Sequence, residues 1–544
     1  MTMSLPRRQF IKLSTLTLAG ALMPRWAFAA RSGNALRIPP EWTGGPLTAA
    51  AANLPIWPGH STAALALNDH VPGPTIRLRP GDLFDMEVVN QLNGEDLVLH
   101  WHGLKAPAAF DGHPNQAVAP GGAYRVTFPL LQDPAFCWYH AHTHDLTASQ
   151  VYRGLAGAFI IDDPERDAAL GLPTGVRDIP LLIRDWKSNV NFALTYNPSM
   201  FEHMWGYLGD TILVNGTPEA WLSVDQGSWR FRILNACNAR VLRIAFNDRR
   251  IFHVFASDGG LTGMIEPVTE LDLSPGQRIE ILVSFADLPV GESVQLRSIF
   301  FPITAPMGGP AGPRQGDPLP IMTFHVDAPG NASALPVSLP APVLPDEALA
   351  RRTRNFDLGV VNGQHTINNQ VYDLDRIDFE VAPGEVEIWQ FTNRTANFHP
   401  MHIHGAFFKV LSRDGAAATL PTDRGWRDTV TVYPNETVRV VIRFGPRPGL
   451  FLMHCHNLEH EHEMMQNFAV TAPQPPPLQI TSENNEVVVS WPAPSDGWIL
   501  EQSDDLLDWQ PVANAAELSG DRMRWRQPLP PDRQFYRLNM PDTL

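Results

Sequence analysis

Three short markers recur in the same order along this chain, and an internal repeat restricts a fold more tightly than any single motif. An Asn followed by Asp or Gly comes first, at Asn68-Asp69, Asn215-Gly216 and Asn362-Gly363, with equal spacing. A Gly-led segment ending at Asn follows, from Gly81 to Asn90, Gly227 to Asn235 and Gly384 to Asn393. The third marker is a turn before an alternating run. Pro120-Gly121 precedes Tyr124-Arg125-Val126-Thr127-Phe128, Pro275-Gly276 precedes Ile279-Glu280-Ile281-Leu282-Val283, and Pro434-Asn435 precedes Val438-Arg439-Val440-Val441-Ile442. Alternation of this kind reads as strands with one buried face. The 51 prolines and 40 glycines suit short strands joined by turns rather than long helices. The expectation is an all-β chain built from three duplicated Greek-key β-sandwiches.

Composition sets the boundaries. The three repeats are expected at 36–163, 177–326 and 351–472, with a Pro- and Ala-rich linker from Asp327 to Ala350. A stiff Pro-rich spacer, Pro473 to Pro477, leads to a small C-terminal β-sandwich module over 478–544, in which no chemistry is legible. Residues 1–30 read as a targeting segment: Pro6-Arg7-Arg8-Gln9-Phe10-Ile11-Lys12 is a twin-arginine pattern, followed by a short apolar run and Ala27-Phe28-Ala29. Export through the twin-arginine machinery to the periplasm or medium is therefore expected, with no membrane span. The net charge of -16 argues against nucleic acid as a partner.

Of the 19 histidines, thirteen fall in two short regions, 100–144 and 399–462. Four His-x-His pairs stand out: His100/His102, His140/His142, His402/His404 and His454/His456. Residues two apart on a strand share a face, so each pair aims two imidazoles at one point. The pairs belong to the first and third repeats. Where the third has His399-Pro400-Met401-His402-Ile403-His404, the second has Val241-Leu242-Arg243-Ile244-Ala245-Phe246. The outer repeats must therefore meet to assemble one metal cluster, with the middle repeat as a spacer. A second site is written around Cys455: His399, Cys455, His460 and a distant Met, either Met464 or Met465, make the ligand set of a blue-copper centre. A lone Cys is usually a buried structural residue, but this one is bracketed by His454 and His456.

His100-Trp101-His102-Gly103, Trp138-Tyr139-His140-Ala141-His142, His399 to Gly405 and His454-Cys455-His456-Asn457-Leu458-Glu459-His460-Glu461 resemble the four copper motifs of the multicopper oxidases, which include laccases, bilirubin oxidases and bacterial cuprous oxidases. The resemblance spans residues 36 to 472 and implies three cupredoxin domains carrying four copper ions. Carried over by position, it assigns a type 1 copper to His399, Cys455, His460 and a Met. A type 2 copper falls to His100 and His402, and a type 3 pair to His102, His140, His142, His404, His454 and His456. The stretch Glu461-His462-Glu463-Met464-Met465 is one residue shorter than the family pattern. Counting forward from Cys455 selects Met465 as the axial ligand. Aligning backward through Phe468 selects Met464, which is preferred.

The resemblance also implies the activity. A reducing substrate, phenolic or aromatic amine as in laccases, gives up single electrons at the type 1 site, and dioxygen is reduced to water at the cluster. Asp111 and Glu461 match the family's proton-supplying carboxylates; otherwise Asp111 is a turn residue before Gly112 and Glu461 a solvated carboxylate. A metallo-oxidase of Cu(I), Fe(II) or Mn(II) is the alternative, weakened because Met200, Met204 and Met307 are too few for a Met-rich copper insert. A non-catalytic envelope scaffold or copper-binding protein is the remaining class. His113, His144 and His462 have no matching role, and Cys137 and Cys237 either pair or stay free thiols.

Overall fold

The computed structural model describes residues 31–539 apart from 188, 190, 304–311, 473–474, 494, 496–497 and 532. The twin-arginine pattern, the Ala27-Phe28-Ala29 site and Met307 lie outside the described residues. Three large sandwiches and one small one make up the rest. The first pairs a sheet ordered Thr62–Leu67, Leu47–Leu54, Leu83–Gln91, Ala123–Pro129 with one ordered Gly73–Leu78, Ala156–Ile161, Ala135–Ala141, Leu99–His100. The second has sheets of seven and six strands, the third of six and five, and the C-terminal module of four and three. Each large sandwich closes over its own apolar core, centred on Phe84 and Trp101, on Phe231 and Phe324, and on Trp389 and Phe468. Trp491, Trp525 and Leu538 form the core of the module.

The repeat extends to individual hydrogen bonds. Asn235 and Asn393 end their strands, Asn90 is the last residue but one of its own, and each is fully buried. Each side-chain amide donates to two or three carbonyls of the following loops, and each Oδ1 accepts from the backbone two residues on. One sequence marker is corrected. Asn68 Oδ1 accepts from Thr48 N and Asn215 Oδ1 from Leu182 N, but the third repeat does this job with Asn368, which accepts from Asp357 N. Asn362-Gly363 instead closes the hairpin between Arg352–Val361 and Gln364–Ile367. Both turns need positive φ at both central residues, which Asn-Gly and Asn-Asn equally satisfy. Composition alone could not separate them.

The first strand among the described residues belongs to the middle sandwich. Asn34–Ala35 pairs in parallel with Ala220–Asp225 before the first strand of sandwich one begins at Leu47. The outer two sandwiches share their cores: Leu458 packs into the first cluster and Ala108 into the third. That exchange fixes the seam on which the site is built.

Candidate metal centres

Within each outer sandwich the two His-x-His pairs lie side by side. His100 pairs with His140 across antiparallel strands in the first, and His402 with His454 in the third. Across the seam the rings interleave: His100 stacks on His404 and His102 on His402, each with centroids 3.7 Å apart. All eight imidazoles are buried. The apolar strand residues around them close the seam, and none of the eight comes from the middle sandwich.

Which ring nitrogen is free follows from the partner of the other. A carbonyl only accepts, so the nitrogen facing it carries the proton. His100 Nδ1 donates to the Asp111 carbonyl at 2.6 Å, His402 Nδ1 to the Asp428 carbonyl at 2.9 Å, and His454 Nδ1 to the Cys455 carbonyl at 3.0 Å. His404 Nδ1 faces Asp111 Oδ2 at 2.7 Å. Their Nε2 lone pairs then point at one another. His100 Nε2 and His402 Nε2 are 3.2 Å apart, and His404 Nε2 and His454 Nε2 are 3.1 Å apart. Lone pairs so opposed repel unless a cation lies among them. Among the described residues, the three-ligand groups with donor atoms within 4.8 Å of one another are His100/His402/His404, His102/His140/His456, His142/His404/His454 and His102/His402/Asp428, with His365/His399/His460 beside the second centre.

Burial, then neighbouring imidazoles, pushes His100, His102, His142, His402, His404 and His456 well below the ordinary 6.5. His140 falls to about 3 and His454 to about 4, again chiefly by burial. Neutral imidazole is the metal-binding form. His102 Nδ1, His140 Nε2 and both His456 nitrogens are buried without hydrogen-bond partners. The donor set fits a cluster of metal ions.

The second centre surrounds Cys455. His399 Nδ1 lies 3.4 Å from its Sγ and His460 Nδ1 3.9 Å from it. The far nitrogens are tied back: His399 Nε2 bonds Thr395 Oγ1 at 2.8 Å, and His460 Nε2 faces the Met204 carbonyl at 3.2 Å. Burial raises the Cys455 thiol, so a soft cation is what would hold it as thiolate. Met464 packs in the same buried cluster as Cys455, which donates its N–H to the Met464 carbonyl at 3.0 Å. Met465 pairs with His454 in the ladder and turns its side chain to Tyr372 and Leu452.

The two carboxyls are buried, Asp111 at 1% and Glu461 at 2% exposure. Gly112 lets the Asp111 turn pass close to the preceding strand, Leu99–His100, since a Cβ there would stand 2.2 Å from the Leu99 carbonyl. Burial holds the Asp111 carboxyl well above its usual range and lifts Glu461 to about 8. Glu461 Oε1 lies 3.3 Å from His142 Nε2 and accepts from Thr147 Oγ1 at 3.3 Å.

Other histidines stay outside the centres. His113 bonds Asn467 Oδ1 at 2.9 Å, His144 lies over Tyr372, and His462 sits half-buried beside Glu463. Cys137 and Cys237 are free thiols in separate cores. His365 went unremarked in the sequence: it is buried and stacks on His460 at 3.6 Å, with both rings against the Met204 carbonyl. It belongs to no His-x-His pair, so only the fold could place it there.

Residues 50–166 and 345–474 each match a family described as multicopper oxidase. The multicopper oxidase mco of Staphylococcus haemolyticus is 32% identical over 75% of this chain and 84% of its own length. The cell division protein FtsP of Escherichia coli is 33% identical over 81% of this chain and 93% of its own. Among solved structures, the McoA multicopper oxidase from the hyperthermophile Aquifex aeolicus superposes with a TM-score of 0.74 at 35% identity, covering 81% of this chain and 100% of that one. The chain belongs to the multicopper oxidase family. It is an oxidoreductase whose metal is copper and whose acceptor is dioxygen.

Proposed function

We propose that this enzyme takes single electrons from phenols or aromatic amines and reduces dioxygen to water, using four copper ions. One would be held by His399, Cys455, His460 and Met464, and one by His100 and His402. The remaining pair would be held by His102, His140 and His456 on one side and His142, His404 and His454 on the other. When bound, copper supplies the one-electron redox chemistry. The observation that carries this reading is the position of Cys455. Its two covalent neighbours, His454 and His456, belong to the two different triads, so the thiol is one residue from each.

The protein's own part is to orient and to hold protons. Asp111 fixes two rings, through its carbonyl on His100 and its Oδ2 on His404, so that both Nε2 atoms face inward. Its Oδ1, 3.8 Å from His100 Nδ1, has no hydrogen-bond partner and is where the buried carboxyl would keep a proton. Glu461 keeps its proton at neutral pH beside His142. Both serve as acids delivering protons into an interior closed to bulk water.

An aromatic reductant is supported by the helix Met200–Trp205, whose Met204 carbonyl caps His460 and which exposes Met200 and Phe201. One observation favours a metal-ion reductant instead. On the same helix the His203 ring lies 6.3 Å from that of His462, whose Nε2 is 3.8 Å from Glu463. A non-catalytic scaffold has no such support, since every ligand position is filled. The twin-arginine pattern supports action outside the cytoplasm, in the periplasm or medium. Among the described residues no helix is long and apolar enough to cross a membrane.

The test is copper content together with oxygen uptake on a phenol and on Cu(I). About four copper ions per chain and phenol-driven uptake are expected. Far less copper, or copper without oxygen consumption, overturns the reading, and faster turnover of Cu(I) moves it to the metal-ion reductant.

A further inference from the structure

The middle sandwich supplies no imidazole, yet its Arg278 reaches the cluster and touches all three large sandwiches. The guanidinium is fully buried. Its Nε donates to the Phe136 carbonyl of the first sandwich at 3.0 Å. Its own backbone N–H donates to Asp258 Oδ1 of the second at 2.8 Å. Its Nη1 and Nη2 grip Asp428 of the third in a two-toothed pair, at 2.7 and 2.6 Å. A planar fork of this kind fixes the plane of the carboxylate as well as its place.

That carboxylate is what orients one cluster ring. Asp428 Oδ1 lies 3.1 Å from His102 Nε2 and also accepts from Thr429 Oγ1 at 2.8 Å. With its Nε2 proton given to Asp428, His102 is left with a bare Nδ1, buried and without a partner. Its two companions, His140 and His456, stand within ligand distance. Turning the ring over would put carbon against Asp428 and lose the bond, so one orientation is selected. The middle sandwich also presses on this triad directly. A Cβ on Gly276 would stand 2.9 Å from His456 Cδ2 and 3.2 Å from His102 Cε1, so the turn carrying Arg278 passes over both rings.

We propose that Arg278 is a positioning residue through which the middle domain completes the metal cluster, by holding Asp428 so that His102 offers Nδ1 to the His102/His140/His456 site. The middle domain is then a working part of the cluster rather than a spacer. The inference rests on the copper assignment above. Outer partners of metal-ligating histidines commonly change affinity by about 10–100-fold when lost, and that is the size expected here.

The experiment uses the copper-loaded full chain with three substitutions: Arg278→Met, Arg278→Lys and Asp428→Asn. Copper retained against a graded chelator is measured alongside the thiolate colour of the Cys455 centre and the spin-resonance spectrum of the cluster. For Arg278→Met and Asp428→Asn the expected result is loss of cluster copper at about 10–100-fold lower chelator concentration, a changed cluster spectrum and an unchanged thiolate colour. Arg278→Lys restores charge without the fork and should recover only part of the affinity. Cluster copper held as tightly as in the wild type by both Arg278→Met and Asp428→Asn overturns the proposal. So does equal loss of colour and cluster copper in all three, which marks general misfolding. Wild-type protein that binds no cluster copper overturns the parent reading instead.

Discussion

His399 Nδ1 stands 3.4 Å from Cys455 Sγ, and the strand pairing that brings them together sets Met401 opposite Cys455 and His402 opposite His454. One register therefore builds both centres at once. Cys455→Ser is expected to abolish the intense blue thiolate band while cluster copper stays near the wild-type content. Persistence of the colour in that variant places the thiolate centre elsewhere.

Asp111 holds the His100 and His404 rings and carries a carboxyl whose hold on a proton burial strengthens well beyond the usual carboxylate range. Asp111→Asn preserves its shape but removes the acid. Reoxidation by dioxygen should slow by about 100-fold or more, while anaerobic reduction of the Cys455 centre by a phenol keeps its rate. Stopped-flow absorbance separates the two steps, and equal slowing of both removes the proton role.

Glu461 loses its proton at about 8, raised by burial beside His142. An acid works only while protonated, so the oxygen step should decline as pH rises through about 8. Glu461→Gln should lower that step and flatten its alkaline limb. A limb unchanged in this variant assigns it to another group.

Metal-free protein carries the cost of its neutral imidazoles. His140 titrates at about 3 and His365 and His454 at about 4, all lowered from 6.5 by burial. The unfolded chain takes up protons first as pH falls. Stability contributed above 6.5 is thus lost progressively toward 4, by about 1.4 kcal/mol per pH unit for each such group. Urea unfolding of the apoprotein at pH 7 and pH 5 should show a clear drop, and a flat profile would falsify the burial of these rings as neutral groups.

Met464 shares the apolar cluster of Cys455, whereas Met465 packs on Tyr372. Met464→Leu should raise the reduction potential of the Cys455 centre, because a weak axial sulfur is withdrawn. Met465→Leu should leave it near the wild-type value. Redox titration of the blue band distinguishes them, and the reverse pattern makes Met465 the axial group.

Much of this was written locally. Alternation announced the strands, but the second ring of each His-x-His pair lies just past its strand end, and only His402 and His404 share a triad rather than splitting between two. Asn90, Asn235 and Asn393 kept their repeat positions because each must satisfy the same loop carbonyls. Asn362 misled because its dipeptide suits the same turn geometry as Asn368-Asn369, and composition does not record which hairpin it closes.

The sequence by itself determined the number of large sandwiches, through markers recurring at equal spacing, and also which repeats carry imidazoles and the sulfur between the two histidines of one pair, which depend on neighbours within a few residues. Only the tertiary structure decided which ring nitrogens are free, that His365 lies on His460, and that Arg278 reaches Asp428 and, through it, His102. Those relations join residues from different strands and different sandwiches. A side chain's protonation and orientation are set by whatever is packed against it, and the order of residues along the chain does not record that.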